Sequence, residues 1–378
     1  SIFEYDTGRR LLKDGRQRSG LSQNLLGKGK GIMVNSELFE ALELIEKEKG
    51  IPKAYMLEKI EAALISAFRK DYGTSDNVSV LINEAKRDIK LIQKRTVVEE
   101  VQDDHEEISL VEAQQRDKRL QLGDVVEEEL KPKEFGRISA QTAKQVIIQG
   151  IREGERELLF DEYTSKEHEI LTGVVRKVDP RSGNVTLELG KSEAVLVAGE
   201  QIPGERYREG DRVKVYVLEV KKNTKGVQIM ISRTHPGLVK RLFELEVSEI
   251  YDGTVEIKSI AREAGSRTKI AVSSNDENVD PIGACIGSKG ARVASIVAEL
   301  GGEKVDIIKY NKDPLIFIAA ALAPAEALRV EPGEGEKSCI AIVPDDQLSL
   351  AIGKEGQNAR LAAKLTGWKI DIKPESQA

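Results

Sequence analysis

Two short glycine-bounded loops are the residues best placed to do chemistry in this chain. Gly287-Ser288-Lys289-Gly290 and Gly353-Lys354-Glu355-Gly356 share one spacing, and each follows an isoleucine, Ile286 or Ile352. Two glycines that close together let a backbone approach a sugar–phosphate chain where any Cβ would collide. A helix starting at the second glycine aims its free N–H groups at phosphate. Lys289 and Arg292 add positive charge to the first loop, and Lys354, Asn358 and Arg360 add polar groups to the second. Glu355 sets an acid where phosphate should approach, so the second loop is expected to grip a nucleic-acid backbone more weakly than the first. In a chain with 32 glycines one such spacing arises by chance, and an ordinary connection between two helices explains it equally well.

The surroundings of the two loops carry the stronger signal, because they repeat as well. Lys269–Val272 and Ile340–Val343 read as strands upstream of the loops. After each loop a helical stretch ends in glycine, at Gly301 and Gly367, and Lys304-Val305-Asp306-Ile307 or Lys369-Ile370-Asp371-Ile372 follows as a strand. Read by period, each copy is helix, strand, strand, short helix, GxxG, helix, strand. The first copy opens with a helix over 238–247 and strands over 253–259 and 267–273. The second opens with a helix over 314–322 and strands over 325–331 and 338–343. That order resembles the type II KH domain, whose GxxG loop clamps about four nucleotides of single strand.

Upstream, residues 168–233 change character. Short alternating strands over 170–178, 185–189, 194–197, 213–220 and 227–231 are punctuated by turns such as Asp179-Pro180-Arg181-Ser182-Gly183. Five strands in so short a stretch match a five-stranded OB β-barrel, with a small sandwich as the alternative. Gly210-Asp211-Arg212-Val213-Lys214-Val215 resembles the S1 variety of that barrel. Before it, Leu38, Phe39, Leu42 and Ile45 repeat at helical spacing behind Ser36 as N-cap. A second helix is expected from Pro52 to Tyr72, then a hairpin turning near Lys86-Arg87-Asp88, a helix beginning at Ser109, and a long helix from Ile138 to Tyr163 after Gly136. The fold expected is therefore multidomain α+β. An N-terminal α/β domain spans 33–165, the OB β-barrel 166–235, and two tandem type II KH domains 236–312 and 313–378. Residues 1–32 lack sustained periodicity and are expected to be a disordered leader.

Composition excludes several classes of function. Aromatic residues are 4% of the chain, too few to wall a large ligand pocket. Two cysteines, Cys285 and Cys339, lie in apolar stretches and read as core residues, and the 3 histidines are scattered. No HExxH, GxSxG or CxxC occurs, and Val185 stands where a P-loop ending in Gly190-Lys191-Ser192 requires glycine. No catalysis, metal or cofactor is expected. No apolar run spans a bilayer, and the cysteine usage suits the cytoplasm. The formal net charge is -6, so nucleic-acid affinity must come from local basic patches. Residues 33–165 carry 20 basic against 29 acidic side chains, a balance suited to a protein partner more than to a phosphate backbone.

The whole order of domains resembles the NusA family of bacterial transcription termination/antitermination factors. The likeness runs from about Met33 to Lys373. It is carried by Asn278-Val279-Asp280-Pro281-Ile282-Gly283-Ala284-Cys285-Ile286-Gly287, by Gln347-Leu348-Ser349-Leu350-Ala351-Ile352-Gly353-Lys354, and by the run from Gln357 to Ile372. Phe135-Gly136-Arg137-Ile138-Ser139-Ala140-Gln141 belongs to it in the N-terminal domain. The resemblance implies a non-enzymatic, monomeric factor whose N-terminal domain binds the RNA polymerase core near its RNA exit, while the barrel and KH domains hold nascent single-stranded RNA. It implies modulation of pausing, hairpin-dependent termination and antitermination, with other antitermination factors as partners. Arg137, Lys144 and Arg152 would then meet a nascent hairpin, although such a charged helix face is more often simply solvated. One departure stands out: the second and third barrel strands carry no aromatic ring, and Tyr207 and Tyr216 are the only Phe, Tyr or Trp rings in that domain. Base stacking from this barrel should therefore be weak. The alternative reading is an RNA-binding adaptor or chaperone linked to RNA processing or translation.

Overall fold

The computed structural model describes residues 35–72, 77–129, 132–223 and 226–377. The leader expected over 1–32 lies outside the described residues. Contacts divide the chain after Leu158 into two units.

In the first unit the helical spacing seen in the sequence becomes two helices, α1 (Asn35–Lys49) and α2 (Lys53–Tyr72). Phe39, Leu42 and Ile45 of α1 pack against Met56, Ile60, Leu64 and Phe68 of α2. The hairpin β1 (Val78–Asn83) and β2 (Asp88–Val98) closes this core with Val78 and Leu91. Its turn places Arg87 at φ 50°. Strand β3 (Glu107–Ser109) runs parallel to β2, and β4 (Val125–Glu129) runs antiparallel to it. Ser109 caps α3 (Leu110–Arg116), accepting from the Glu112 N–H at 3.3 Å. Helix α4 (Pro132–Thr164) begins six residues before the expected Ile138. Proline suits the first turn of a helix, and one interior glycine costs only about 1 kcal/mol. Further along, two glycines let α4 lie close to its neighbours: a Cβ on Gly154 would stand 2.9 Å from Ile51, and one on Gly150 3.1 Å from Met56.

The second unit begins at Leu159. Strands β5 (Ile170–Val178), β6 (Val185–Leu189), β7 (Ser192–Leu196), β8 (Arg212–Asn223) and β9 (Gly226–Ser232) form one antiparallel sheet in the order β7-β6-β5-β8-β9. Alternate residues of each strand face a common core that includes Val175, Leu187, Leu196, Val215 and Ile229, with Tyr163 buried among them. The Tyr163 hydroxyl donates to the Leu189 carbonyl.

Two three-stranded sheets follow, built alike. Strands β10 (Val255–Glu263), β11 (Arg267–Ser274) and β12 (Lys304–Lys309) form the first. Strands β13 (Arg329–Pro332), β14 (Ser338–Val343) and β15 (Lys369–Pro374) form the second. In each the middle strand is antiparallel to the first and parallel to the last. Helices α5 (Pro236–Glu246), α6 (Ser248–Tyr251), α7 (Pro281–Ile286) and α8 (Ala291–Glu299) accompany the first sheet. Helices α9 (Pro314–Ala321), α10 (Leu348–Ile352) and α11 (Gln357–Thr366) accompany the second. Strand β13 is shorter than the expected 325–331, because Ala325 is drawn into the core with Val343 and Ala351 instead of extending the strand.

Shared cores join the modules of this unit. Tyr216 of the barrel packs with Leu238, Leu242 and Phe243 of α5. Ala261 and Ala271 of the first repeat pack with Phe317, Ala321 and Leu361 of the second. Lys269, fully buried, donates to the Ala323 carbonyl at 2.6 Å and to Asp306 at 3.0 Å. Burial lowers the Lys269 ammonium's pKa. Burial also works against the Asp306 carboxylate, yet the hydrogen bond from Arg267 and the charge of Lys269 outweigh it and hold that carboxyl below its usual range.

Candidate nucleic-acid interface

The two GxxG loops adopt the same backbone. Gly287 has φ 71° and ψ 178°, and Gly353 φ 77° and ψ 169°. Third in each loop, Lys289 sits at φ 52°, ψ 25° and Glu355 at φ 54°, ψ 27°. Gly290 (φ 77°) and Gly356 (φ 74°) then open α8 and α11, neither with a side-chain cap. In both copies the N–H of the second glycine donates to the carbonyl of the first at 3.1 Å.

The two glycines of each loop have different duties. A Cβ on Gly287 would meet the Arg292 side chain at 2.7 Å, and one on Gly353 the Asn358 backbone nitrogen at 2.7 Å. The first glycine therefore serves internal packing. At Gly290 nothing lies within 4 Å of an added Cβ, and at Gly356 only Arg360 comes as near as 3.8 Å. That side of the loop is open, as the approach of a nucleic-acid backbone requires.

Ser288, Lys289, Lys354 and Glu355 are exposed on that open side. Arg292 is turned inward: its Nη1 donates to the Ala284 carbonyl at 2.7 Å and to Glu249 at 2.8 Å, bracing the loop against α6. Asn358 is 3% exposed, and its amide donates to the Leu322 carbonyl at 2.9 Å and the Ala351 carbonyl at 3.0 Å. It ties α11 to α9 and α10 from behind the loop. Arg360 is exposed, donating to the Glu355 carbonyl at 3.0 Å and to Glu263 at 2.6 Å. Sequence spacing brings all three next to a loop, but it does not show which way each side chain turns.

Tyr207 is half-buried, its hydroxyl donating to Glu205 at 2.5 Å, and burial raises its pKa. Tyr216 is 7% exposed and stacks on His235 with ring centroids 4.8 Å apart. Both rings of the barrel are thus engaged in packing. Cys285 and Cys339 are buried, as their apolar surroundings lead one to expect, and burial pushes the Cys285 thiol up to about 12. Among the described residues, no cluster of three or more His, Cys, Asp or Glu could hold a metal, and no helix is long and apolar enough to cross a membrane.

In the first unit, Arg152 is exposed and lines an open cavity of about 590 Å³ with Lys59, Gln149 and Glu153. The side chains of Arg137 and Lys144 lie outside the described residues.

A barrel of the S1 type followed by two KH repeats, each with an open GxxG loop, defines a multidomain RNA-binding protein. Residues 164–232 match the S1 RNA binding domain. Residues 37–157 match the NusA N-terminal domain, 233–310 the NusA-like first KH domain and 314–378 the NusA-like second KH domain. The transcription termination/antitermination protein NusA of Halalkalibacterium halodurans is 55% identical over 91% of this chain and 90% of its own length. Those of Bacillus subtilis (54% identical, 91% and 92% covered) and Thermus thermophilus (45%, 89% and 89%) are also similar. The chain belongs to the NusA family.

Proposed function

We propose that this protein is a transcription elongation factor that holds emerging single-stranded RNA on its two GxxG loops while its N-terminal unit attaches to the RNA polymerase core. The observation that carries the reading is the near-identical left-handed geometry of Lys289 and Glu355 in two loops whose second glycines face open space. Gly287, Ser288, Lys289 and Gly290 form the stronger contact. Gly353, Lys354, Gly356 and Arg360 form the weaker one, with Arg292 and Asn358 bracing them. Arg137, Lys144 and Arg152 are the candidate contacts to a nascent hairpin. On this reading the protein is a cytoplasmic, monomeric, non-catalytic factor without cofactor, prolonging hairpin-stabilised pauses, assisting termination and joining other factors in antitermination.

Its test is a single-round transcription assay on a hairpin-pause template with the full chain. Wild type should lengthen the pause, and Ser288→Asp with Lys289→Asp should reduce that effect at limiting protein by weakening attachment through the transcript. An unchanged pause lifetime with saturating wild-type protein would overturn the proposal.

A further inference from the structure

The loop-starting helices of the two repeats differ in what faces them. At the position corresponding to Arg360 the first repeat carries Ala294, and at that of Gln357 it carries Ala291. Only the second repeat therefore offers two long polar donors in its first helical turn, and both are engaged by one carboxylate from the other repeat. Glu263, the last residue of β10, accepts from Arg360 Nε at 2.6 Å and Nη2 at 3.2 Å, and from Gln357 Nε2 at 2.9 Å. This is the fork-to-fork pattern with which arginine binds carboxylate and phosphate alike. The hydrogen bond from Arg360 holds the Glu263 carboxyl below its ordinary pKa, so it is an anion at neutral pH.

We infer that Glu263 occupies, in place of an RNA phosphate, the donors that the second GxxG helix presents, and that RNA must displace it to engage this clamp fully. The inference rests on the RNA-binding reading above and adds an intramolecular competitor to it. Two anions cannot share one guanidinium edge at little cost, and Glu355 adds a further negative charge beside it. At the first clamp the arginine, Arg292, is paired with Glu249 of its own repeat and with the Ala284 carbonyl behind the loop, while the loop's cation, Lys289, stands exposed. The first clamp is thus open to RNA at once, and the second becomes available when the Glu263–Arg360 pair opens. RNA occupancy of the second clamp is thereby coupled to the contact between the repeats.

Removing the charge on Glu263 should leave the donors in place. Arg360 Nη1 remains on the Glu355 carbonyl at 3.0 Å, and Gln357 remains on Ser266 Oγ at 2.7 Å. The buried apolar contacts and the Lys269–Ala323 bond keep the repeats together. Glu263→Gln keeps the shape and the acceptor oxygen while losing the anion.

The experiment measures binding of the full chain to an unstructured 12-nucleotide single-stranded RNA across a salt series. Glu263→Gln should tighten binding about threefold, the scale of one exposed ion pair released. The dependence on salt should steepen by about one counterion. Glu263→Gln combined with Arg360→Ala should show neither gain. A Glu263→Gln protein that binds RNA no more tightly than wild type overturns the inference, as does a gain that survives loss of Arg360. If Glu263 only holds the repeats together, the variant should melt at lower temperature and bind more weakly, which also overturns it. The RNA-binding reading fails separately, when wild type itself does not bind this RNA or binds it without regard to Lys289.

Discussion

Arg233 Nη2 lies 2.6 Å from Glu205 Oε1, with the arginine side chain 1% exposed. The same guanidinium donates to the Lys214 carbonyl at 2.5 Å, the Glu299 carbonyl at 2.9 Å and the Glu299 carboxylate at 3.3 Å. Glu205 belongs to the barrel and Glu299 to α8, so one buried cation fastens the barrel to the first KH repeat. A buried charge loses its hydration, and only full engagement of its donors offsets that cost. Arg233→Ala strands Glu205 without its partner and should destabilise the second unit by about 3 kcal/mol or more. Denaturant unfolding followed by circular dichroism checks this. A loss below about 1 kcal/mol would mean that the group behaves as a surface ion pair.

The two glycines of the first loop should separate stability from binding. Gly290→Ala meets open space, so its cost is the left-handed backbone alone, about 1–2 kcal/mol. Its methyl group projects where the RNA backbone must come, so affinity for single-stranded RNA should fall. Gly287→Ala carries a larger backbone cost, because φ 71° with ψ 178° is a region that essentially only glycine enters, and it also collides with Arg292, so it should lower the melting temperature more. Equal melting temperatures for the two variants would contradict this division of duties.

His235 makes the joint between barrel and first repeat sensitive to pH. It caps α5, its Nδ1 accepting from the Gly237 N–H at 3.0 Å, and it stacks on Tyr216. Burial holds its pKa below the ordinary 6.5, with His168 and Arg262 adding to the effect and Glu200 opposing it. The unfolded chain therefore takes up the proton more readily. The stabilisation from the neutral ring is complete above about pH 6.5 and is lost as pH falls below it toward the lower folded value. Melting temperature should drop from pH 7.5 to 5.5, and His235→Asn, which keeps an N-cap acceptor without titrating there, should flatten that slope. An unaltered slope in the variant would remove His235 from the account.

The repeat made the two clamps legible in the sequence, because a duplicated order of periods and glycines survives in one dimension. Helical spacing at Leu38, Phe39, Leu42 and Ile45, and strand alternation such as that of Val185–Leu189, were readable for the same reason: each reports which face a local element buries. The partners of Arg292, Asn358 and Arg360 were not readable. Each depends on a residue from another element, such as Glu249, Leu322 or Glu263, brought there by tertiary packing that no local period encodes. The early start of α4 is hidden in the sequence because Gly136 looks like punctuation, whereas a helix tolerates a glycine when its neighbours favour continuation.

The central claim is that RNA is held on the GxxG loops, the first more strongly than the second. The most direct measurement is the affinity of the full chain for a single-stranded oligoribonucleotide, comparing wild type with Ser288→Asp/Lys289→Asp and with Lys354→Asp/Glu355→Asp. The first pair exchanges one positive charge for two negative ones on the open side of the loop, and the second exchanges one cation for an anion beside an acid already present. The account predicts a loss of at least about tenfold for the first variant, a smaller loss for the second, and a native circular dichroism spectrum for both. Equal affinity for all three folded proteins would contradict it.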